Sequence, residues 1–417
     1  MITRFMAQSA PLRLKTVRAP AALLAATAVG LLPMSLQAQP QDDFVVIVGN
    51  PGEVLEEGIE TSVQGRTALD AVEIQLVGLQ RILDDIRNRR RGDRAKLEQA
   101  EEEEASAGFG KPSIAGRAFE DFVVQTGAPA ASDGDGSEIG TAFGRLNLFG
   151  DAFTSTGEHD GSRFTPEHEA DAIGVNFGAD YRIGSDLVVG GVVGLINRET
   201  DFKQRNSQIE LNGINIAALA SWYITQSWYL DGIVRAGWND YDNFREVAPG
   251  VIADSKNDGS DYAASLATGF EFYRGGLTIG PRVRVNYTDA SIDGYTENAP
   301  TGALAYGDQD VESLTTNVGV EATYAINREF GVLLPQIDLE WVHEFEDDRR
   351  FIKAQNAGGG PIFFIPVAEP DSDYARVGLG ATFVYAGGAI VFLRADAELA
   401  REDVDERLIT LGTRLEF

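Results

Sequence analysis

Histidines with acidic neighbours are the first candidates for chemistry in this chain of 417 residues. His159 and His168 border a polar, acidic stretch, and imidazole nitrogens beside carboxylates can ligate zinc or nickel. Their spacing is not a recognised metal motif, and solvated loop residues are the commoner reason for such a pattern. We therefore expect no metal ion and no cofactor.

A third histidine lies in an acidic segment that a protease could use to activate water. His343 is followed by Glu344 and by further carboxylates up to Asp348. Such a protease would also need carboxylates on an opposing wall, which the sequence does not indicate. The chain has no Gly-x-Ser-x-Gly motif of a serine esterase. We predict no catalytic residue and no enzymatic activity.

The overall charge and the N-terminus restrict the partners and the compartment. With 64 acidic and 35 basic residues, the formal net charge is -29, which disfavours nucleic acid as a partner. Residues 1–38 combine a basic region, the apolar run 21–32 and the small-residue site Leu36-Gln37-Ala38, as in a secretory signal peptide. We expect cleavage after Ala38 and export by the Sec machinery. The absence of Cys agrees with an oxidising periplasm.

A helix at about 61–104 is predicted within a short passenger-like region, 39–130. Apolar residues recur there at spacings of three and four, which gives an a/d seam over nearly three heptads. The seam predicts coiled-coil self-association, packing on a partner, or contact with the rest of the same protein. The basic stretch from Arg87 to Lys96 and the Glu run after it predict a solvated helix end. The seam residues are Leu69, Val72, Leu76, Leu79, Leu83 and Ile86.

Two shorter features flank this helix. Asp43–Gly49 is a strand candidate that ends at the turn Asn50-Pro51-Gly52. Residues 131–140 are typical of a flexible linker. Their Asp-Gly repeats offer a calcium loop as the alternative, but they lack its roughly 12-residue ligand spacing.

Twelve segments of alternating apolar and polar residues occupy the last domain, 141–417. Tight turns alternate with longer polar loops at about 157–167, 247–257, 293–309 and 346–371. Short periplasmic turns and long extracellular loops are typical of outer-membrane barrels, so both barrel ends should lie in the periplasm. We predict an antiparallel, up-and-down outer-membrane β-barrel of twelve strands with a short helical N-terminal extension. The predicted strands are 141–155, 168–182, 186–200, 208–223, 227–243, 258–273, 276–290, 310–326, 330–346, 373–385, 388–401 and 405–417.

Each predicted strand has an apolar face and a polar face, because side chains alternate along a strand. A charge at a lipid-facing midplane position costs about 2–4 kcal/mol, so the charged residues should face the lumen. Four aromatic residues, Trp228, Tyr229, Trp238 and Trp341, are candidates for the interfacial girdle. The predicted lumen-facing residues are Arg282, Arg284, Asp338, Glu340, Arg376, Arg394, Asp396, Glu398 and Arg414.

Several motifs resemble, in order, the translocator domains of autotransporters. Residues 227–232 (Ser-Trp-Tyr-Leu-Asp-Gly), which lead to Trp-Asn-Asp-Tyr-Asp at 238–242, are similar to the signature of the fourth and fifth strands. Gly280-Pro281 and the Asp-Gly-Tyr-Thr-Glu-Asn segment at 293–298 are similar to the seventh strand and the loop after it. Residues 334–345 resemble the family's Pro-to-His-Glu-Phe strand, and the C-terminal Phe417 completes the set.

The resemblance implies a monomeric barrel that the assembly machinery inserts among the lipids of a Gram-negative outer membrane. It also implies export of an N-terminal passenger and a helix left in the pore, which we expect between about Leu97 and Asp121. The N-terminal region is short and lacks β-helix repeats, so we expect it to be translocated or anchored without passenger release. A stand-alone porin and an adhesin or surface anchor are the alternatives.

Phe417 is the predicted assembly signal, because an aromatic residue next to the free carboxylate occurs in many substrates of the barrel assembly machinery. Deleting Phe417 should slow assembly and leave periplasmic aggregates. The measurement is the loss of the heat-modifiable folded form on semi-native gels, with Phe417→Tyr as a control that should assemble normally. Normal surface insertion of the deletion variant would contradict this role.

Overall fold

The computed structural model describes residues 58–106, 145–329, 331–385, 388–401 and 404–416. The predicted signal peptide, the strand candidate at 43–49 and the predicted linker lie outside these residues. The described residues form one long helix and a closed antiparallel barrel of twelve strands, which confirms the predicted fold class.

The helix α1 spans Thr61–Ser106. Local hydrogen bonds fix its start: the Thr61 amide donates to the Gly58 carbonyl at 3.1 Å, and the Ser62 hydroxyl donates to the Ile59 carbonyl at 2.6 Å. The sequence after this start is rich in Leu, Ala, Arg, Gln and Glu, which favour helix, and contains no Pro. The helix therefore continues for 46 residues.

The strands pair in sequence order, and the first closes on the last. In this closing pair Asn147 lies opposite Glu416, and His159 lies opposite Val404. Closure leaves no open sheet edge in the wall, as hydrocarbon requires. The barrel strands are β1 (Leu146–His159), β2 (His168–Ile183), β3 (Leu187–Phe202), β4 (Gln208–Tyr223), β5 (Trp228–Ala248), β6 (Val251–Phe270), β7 (Leu277–Ile292), β8 (Gln309–Tyr324), β9 (Gly331–Glu344), β10 (Asp373–Tyr385), β11 (Ile390–Leu399) and β12 (Val404–Glu416). Two short strands, Phe272–Arg274 and Ile326–Arg328, pair with the starts of β7 and β9.

One end of the barrel, which we call the long-loop end, contains more β-structure than expected. The predicted loop at 247–257 is wrong, because β5 and β6 continue through it and leave only a tight turn. Gly250 in this turn has a φ of 79°, which favours glycine. The loops after β7 and β9 form a separate four-stranded sheet. Its strands are Tyr295–Thr296, Leu304–Tyr306, Phe351–Asn356 and Phe363–Pro366. The opposite end, with the turns after β2, β4 and β6, is the short-turn end.

The two faces of the wall differ in polarity. On the outer face Leu339 and Leu411 are 53% and 55% exposed, whereas their neighbours Asp338 and Thr410 are 2% and 0% exposed. Apolar side chains therefore face the bilayer and polar side chains face the lumen, as the alternation predicted.

Three of the four residues predicted for the aromatic girdle face outward, as a girdle requires. Trp228, Trp238 and Trp341 are exposed on the outer face. Tyr229 is buried, so its assignment to the girdle was wrong. Adjacent side chains on a strand point to opposite faces, so Trp228 and Tyr229 cannot both face lipid.

Near the long-loop end the outer face becomes acidic. Asp171, Glu199 and Glu210 lie opposite one another on β2, β3 and β4. Like charges directly opposite each other destabilise a sheet, and water weakens their repulsion. This acidic row therefore indicates where the strands leave the hydrocarbon layer.

Candidate functional site

The helix occupies the barrel lumen. Its residues from Thr61 to Gly92 are buried or half-buried, and α1 contacts β1 and the strands from β3 to β10. Polar side chains of the helix bond to the wall: Asn88 donates to Gln336 at 3.0 Å and to Thr382 at 3.2 Å. The lumen is thus the candidate functional site.

The pore segment lies earlier in the sequence than expected. We placed it at about 97–121, whereas residues 61–92 lie inside the barrel. Residues 107–121 are outside the described part of the chain. The expectation failed because an apolar seam followed by a basic stretch has the same pattern whether its surroundings are solvent or a polar lumen.

The helix runs from the long-loop end to the short-turn end. Near its start the Ser62 hydroxyl donates to the Phe164 carbonyl, in the loop between β1 and β2, at 3.1 Å. Farther along, Arg90 lies 3.9 Å from the ring centroid of Tyr223, the last residue of β4 at the short-turn end. The chain therefore enters the lumen at the long-loop end.

One side of α1 packs on an apolar part of the wall. The seam residues Leu76, Leu79 and Leu83 form a buried cluster with Val192 of β3 and Leu219 of β4. Leu79 is completely buried. Of the three alternatives for the seam, the structure therefore supports the third, in which the seam packs on another part of the same chain.

Another side of the helix carries charges that pair with the wall. Arg81 pairs with Asp396 of β11, and Arg87 pairs with Asp231 of β5. The two arginines are 4% and 2% exposed. Arg87 also lies 4.3 Å from the ring centroid of Tyr229, which explains the inward position of this tyrosine.

Arg91 makes the same type of contact one helical turn later. Its guanidinium donates to Glu271 at 2.5 Å and also bonds to Glu321 of β8. Arg87 and Arg91 are buried, so the prediction of a solvated end is wrong for this part of the basic stretch. Carboxylates of the wall take the place of solvent around these buried guanidinium groups.

Asp84 lies where the charges of helix and wall meet. Its carboxylate pairs with Arg81 at 3.0 Å and lies 3.7 Å from Arg282 of β7. Asp84, Glu321 and Asp338 each offer a ligand atom within 4.8 Å of the others, a separation that suits a metal ion. Arginines already pair with all three carboxylates, so they supply the positive charge that a metal would bring.

The nine predicted lumen-facing residues are all buried, and all form ion pairs. The structure joins those on β7 and β9 with Arg394 and Asp396 of β11 in one network, which reaches the helix through Arg81. Arg376 and Glu398 form a separate pair, which reaches the helix through Glu73. Arg414 of β12 lies apart from both and pairs with Asp180 of β2. The pairs are Arg282–Asp338 (2.8 Å), Arg282–Glu340 (2.6 Å), Arg284–Glu340 (2.7 Å), Arg376–Glu398 (2.7 Å), Arg414–Asp180 (2.7 Å), Arg394–Asp338 and Arg81–Asp396.

Sequence reasoning missed part of this network. On the wall it missed Asp231 and Glu321, whose position in the polar face of their strands was a usable signal. On the helix it missed Arg81 and Asp84. Both lie between seam residues, and charges inside an apolar seam indicate a partner that carries charges of its own.

The histidines do not form the sites for which they were considered. His159 and His168 stack with ring centroids 4.3 Å apart and 12° between the ring planes. Parallel rings direct their in-plane nitrogens side by side, which does not suit one shared metal ion. His343 bonds to Asp373 at 2.9 Å, while Glu344 is buried on the inner face, so the two do not form a catalytic pair.

The family of this chain follows from comparison with known proteins. The model of the autotransporter β-domain matches residues 148–396, which is more than half of the chain. The chain therefore belongs to the autotransporter β-domain family. No curated protein sequence matches it.

Two solved structures show the same fold. The translocator domain of the autotransporter NalP from Neisseria meningitidis is 11% identical with a TM-score of 0.55, and the match covers 66% of this chain and 89% of that one. The β domain of the Bordetella autotransporter BrkA is 16% identical with a TM-score of 0.51, and covers 66% of this chain and 100% of that one.

The family places the barrel in the outer membrane of Gram-negative bacteria, where the assembly machinery inserts it, and indicates no catalytic class. None of the described helical residues forms a span that is long and apolar enough to cross a membrane.

Replacing Arg91 tests the contribution of the buried charges. Arg91→Ala should lower the free energy of unfolding by about 3–5 kcal/mol, because it leaves Glu271 buried without its arginine and removes one of the two arginines that pair with Glu321. Denaturant unfolding in detergent micelles, followed by tryptophan fluorescence, measures the change.

Arg90→Ala is the matched control. Arg90 lies 3.6 Å from Asp186, both side chains are partly exposed, and its guanidinium also contacts the Tyr223 ring, so the loss should stay below about 2 kcal/mol. Equal losses for the two variants would show that the buried ion pairs do not stabilise the helix-filled barrel.

Proposed function

We propose that this protein is an outer-membrane anchor that holds its own N-terminal segment at the cell surface. The barrel inserts with its long loops outside and both of its ends in the periplasm. The helix α1 stays in the lumen as a plug, and the residues before it are exported and remain attached.

The direction of the helix is the observation that carries this proposal. Gly58 lies at the long-loop end, where a Cβ built on it would meet Tyr306 and Leu304 of the loop sheet. β1, by contrast, begins at the short-turn end beside Arg182, whose amide donates to the Arg145 carbonyl at 3.0 Å. A chain in this arrangement crosses the membrane once through the lumen before it forms the barrel wall.

The ion pairs of the lumen support retention rather than release. Arg81, Arg87 and Arg91 pair with carboxylates on four different strands or their extensions. Moving the helix would break all of these buried ion pairs at the same time. Each buried charge left without a partner is strongly destabilising.

The stand-alone porin is the less favoured alternative. A porin needs a continuous aqueous channel, and here α1 contacts strands around most of the lumen wall. An adhesin remains compatible with the proposed anchor, because a surface-attached segment could also bind a partner.

Protease shaving of intact cells tests the orientation. With an epitope tag inserted after Gln41, protease should remove the tag and leave a barrel-sized fragment, since the tag precedes the helix at the outer surface. A second protein with the tag at Ser185, in the β2–β3 turn, should keep its tag until the outer membrane is permeabilised.

Protection of the Gln41 tag in intact cells would contradict surface exposure and favour a periplasmic N-terminal segment. Cleavage of the Ser185 tag in intact cells would show that the barrel has the opposite orientation.

Deleting the helix tests its role as a plug. In planar bilayers the full chain should give little conductance, and a variant without residues 61–106 should give discrete channel openings, because the lumen wall is polar. Heat-modifiable migration on gels serves as the control for folding. Equal conductance of the two proteins would rule out the plug.

A further inference from the structure

A cavity of about 310 Å³ lies beside the first turns of α1 at the long-loop end. The helix, the end of β1 and the loop after β9 form its walls. A cavity of this size suits a small organic molecule, because ligand pockets start at roughly 300 Å³. Part of the lining is apolar and includes Val63, Leu69, Val311, Val367, Pro370 and Val404.

Arg350 brings an unpaired positive charge to this cavity. No described residue accepts a hydrogen bond from its half-buried guanidinium or forms an ion pair with it. The neighbouring Arg349, by contrast, pairs with Glu369 at 3.1 Å. Burial, and next the nearby Arg66 guanidinium, lower the pKa of Arg350. A carboxylate beside the guanidinium would raise this pKa, so the lowering agrees with a charge that has no anion next to it.

Gly65 provides the space for this guanidinium. A Cβ on Gly65 would lie 3.1 Å from Nη2 and 3.2 Å from Nη1 of Arg350, closer than ordinary contacts. Glycine inside a helix costs about 1 kcal/mol relative to alanine. The same Cβ would lie 3.0 Å from Cγ2 of Val311, so the close approach of Arg350 and Val311 to the helix backbone accounts for a glycine at this position.

Other donors of the cavity are also incompletely paired. Arg66 shares the carboxylate of Asp70 with Arg198. His159 is 6% exposed, and its Nε2 has no hydrogen-bond partner among the described residues. Arg66 Nη2 also has no hydrogen-bond partner among the described residues, so this guanidinium can bind a further acceptor.

The carboxylates around the cavity do not neutralise the charge of Arg350. Glu344 accepts hydrogen bonds from the Ser313 hydroxyl and the Leu314 amide, and Glu73 pairs with Arg376. The remaining carboxylates without a strong partner are exposed at the rim, where they repel large polyanions. These rim residues are Asp160, Glu312 and Glu346.

We propose that this cavity binds a small organic carboxylate with a short apolar body. Its head group pairs with Arg350 and Arg66, and its body packs on Val311 and Val367. A planar guanidinium can donate two parallel hydrogen bonds to a carboxylate, which suits Arg350. The ligand would then connect the helix to the loop after β9 and stabilise the helix in the lumen.

Calorimetric titration of the purified full-length protein in detergent with hexanoate tests this proposal. Hexanoate should bind, while hexanamide, which lacks the charge, and acetate, which lacks the apolar body, should bind at least about tenfold more weakly. Arg350→Gln should weaken hexanoate binding by a similar factor. Arg349→Gln, the matched control, should bind like the wild type.

A second variant, Arg350→Lys, keeps the charge but loses the planar fork, so its affinity should fall between those of the wild type and Arg350→Gln. Heat-modifiable migration confirms that each variant is folded. No hexanoate binding up to about 10 mM, equal affinity of wild type and Arg350→Gln, or equal binding of hexanamide would each overturn the proposal. The titration uses purified protein, so its result is independent of which region reaches the cell surface.

Discussion

Charge pairing inside the lumen is the constraint on which the rest of the structure depends. A buried charge is tolerated only with a partner, and here the partners come from both the wall and the helix. Glu321 of β8 pairs with Arg91 of the helix and with Arg282 of β7. Asp338 connects Arg282 to the network around the helix. Without the helix, wall carboxylates such as Glu271 would lose the arginine beside them. The helix is therefore part of the barrel's electrostatic structure rather than a passive occupant.

Complementary polarity fixes the rotation of the helix. The inner face is apolar over part of the strands from β3 to β6, where Val192 and Leu219 contact the seam. It is charged over β7 to β11, where Asp338 and Asp396 meet the helix arginines. Turning the helix would place Leu79 against carboxylates and arginines against apolar side chains. Both contacts would be unfavourable, so one rotation is strongly preferred.

The sequence predicted the strands well because lipid imposes a period of two, and the cost of a charge in hydrocarbon fixes which face is outward. Beyond the lipid-facing part of the strands this constraint is absent, and there the prediction of strand ends failed. The hairpin at 247–257 lies at the long-loop end, where water can solvate both faces, so residues such as Asp254 and Lys256 had the pattern of a loop. The position of the helix could not be predicted for a related reason. A seam such as Leu76 to Leu83 needs an apolar surface, but its spacing does not identify whether that surface is another helix or a barrel wall.

The same network restricts the order of events if the N-terminal segment is exported. Once Arg81, Arg87 and Arg91 are paired, a shift of the helix along the lumen would break these contacts simultaneously. Breaking even one buried pair by removing its partner costs about 3–5 kcal/mol. Residues that precede the helix must therefore pass through before these pairs form. On the proposed function, docking of the helix then ends export and turns a conduit into an anchor.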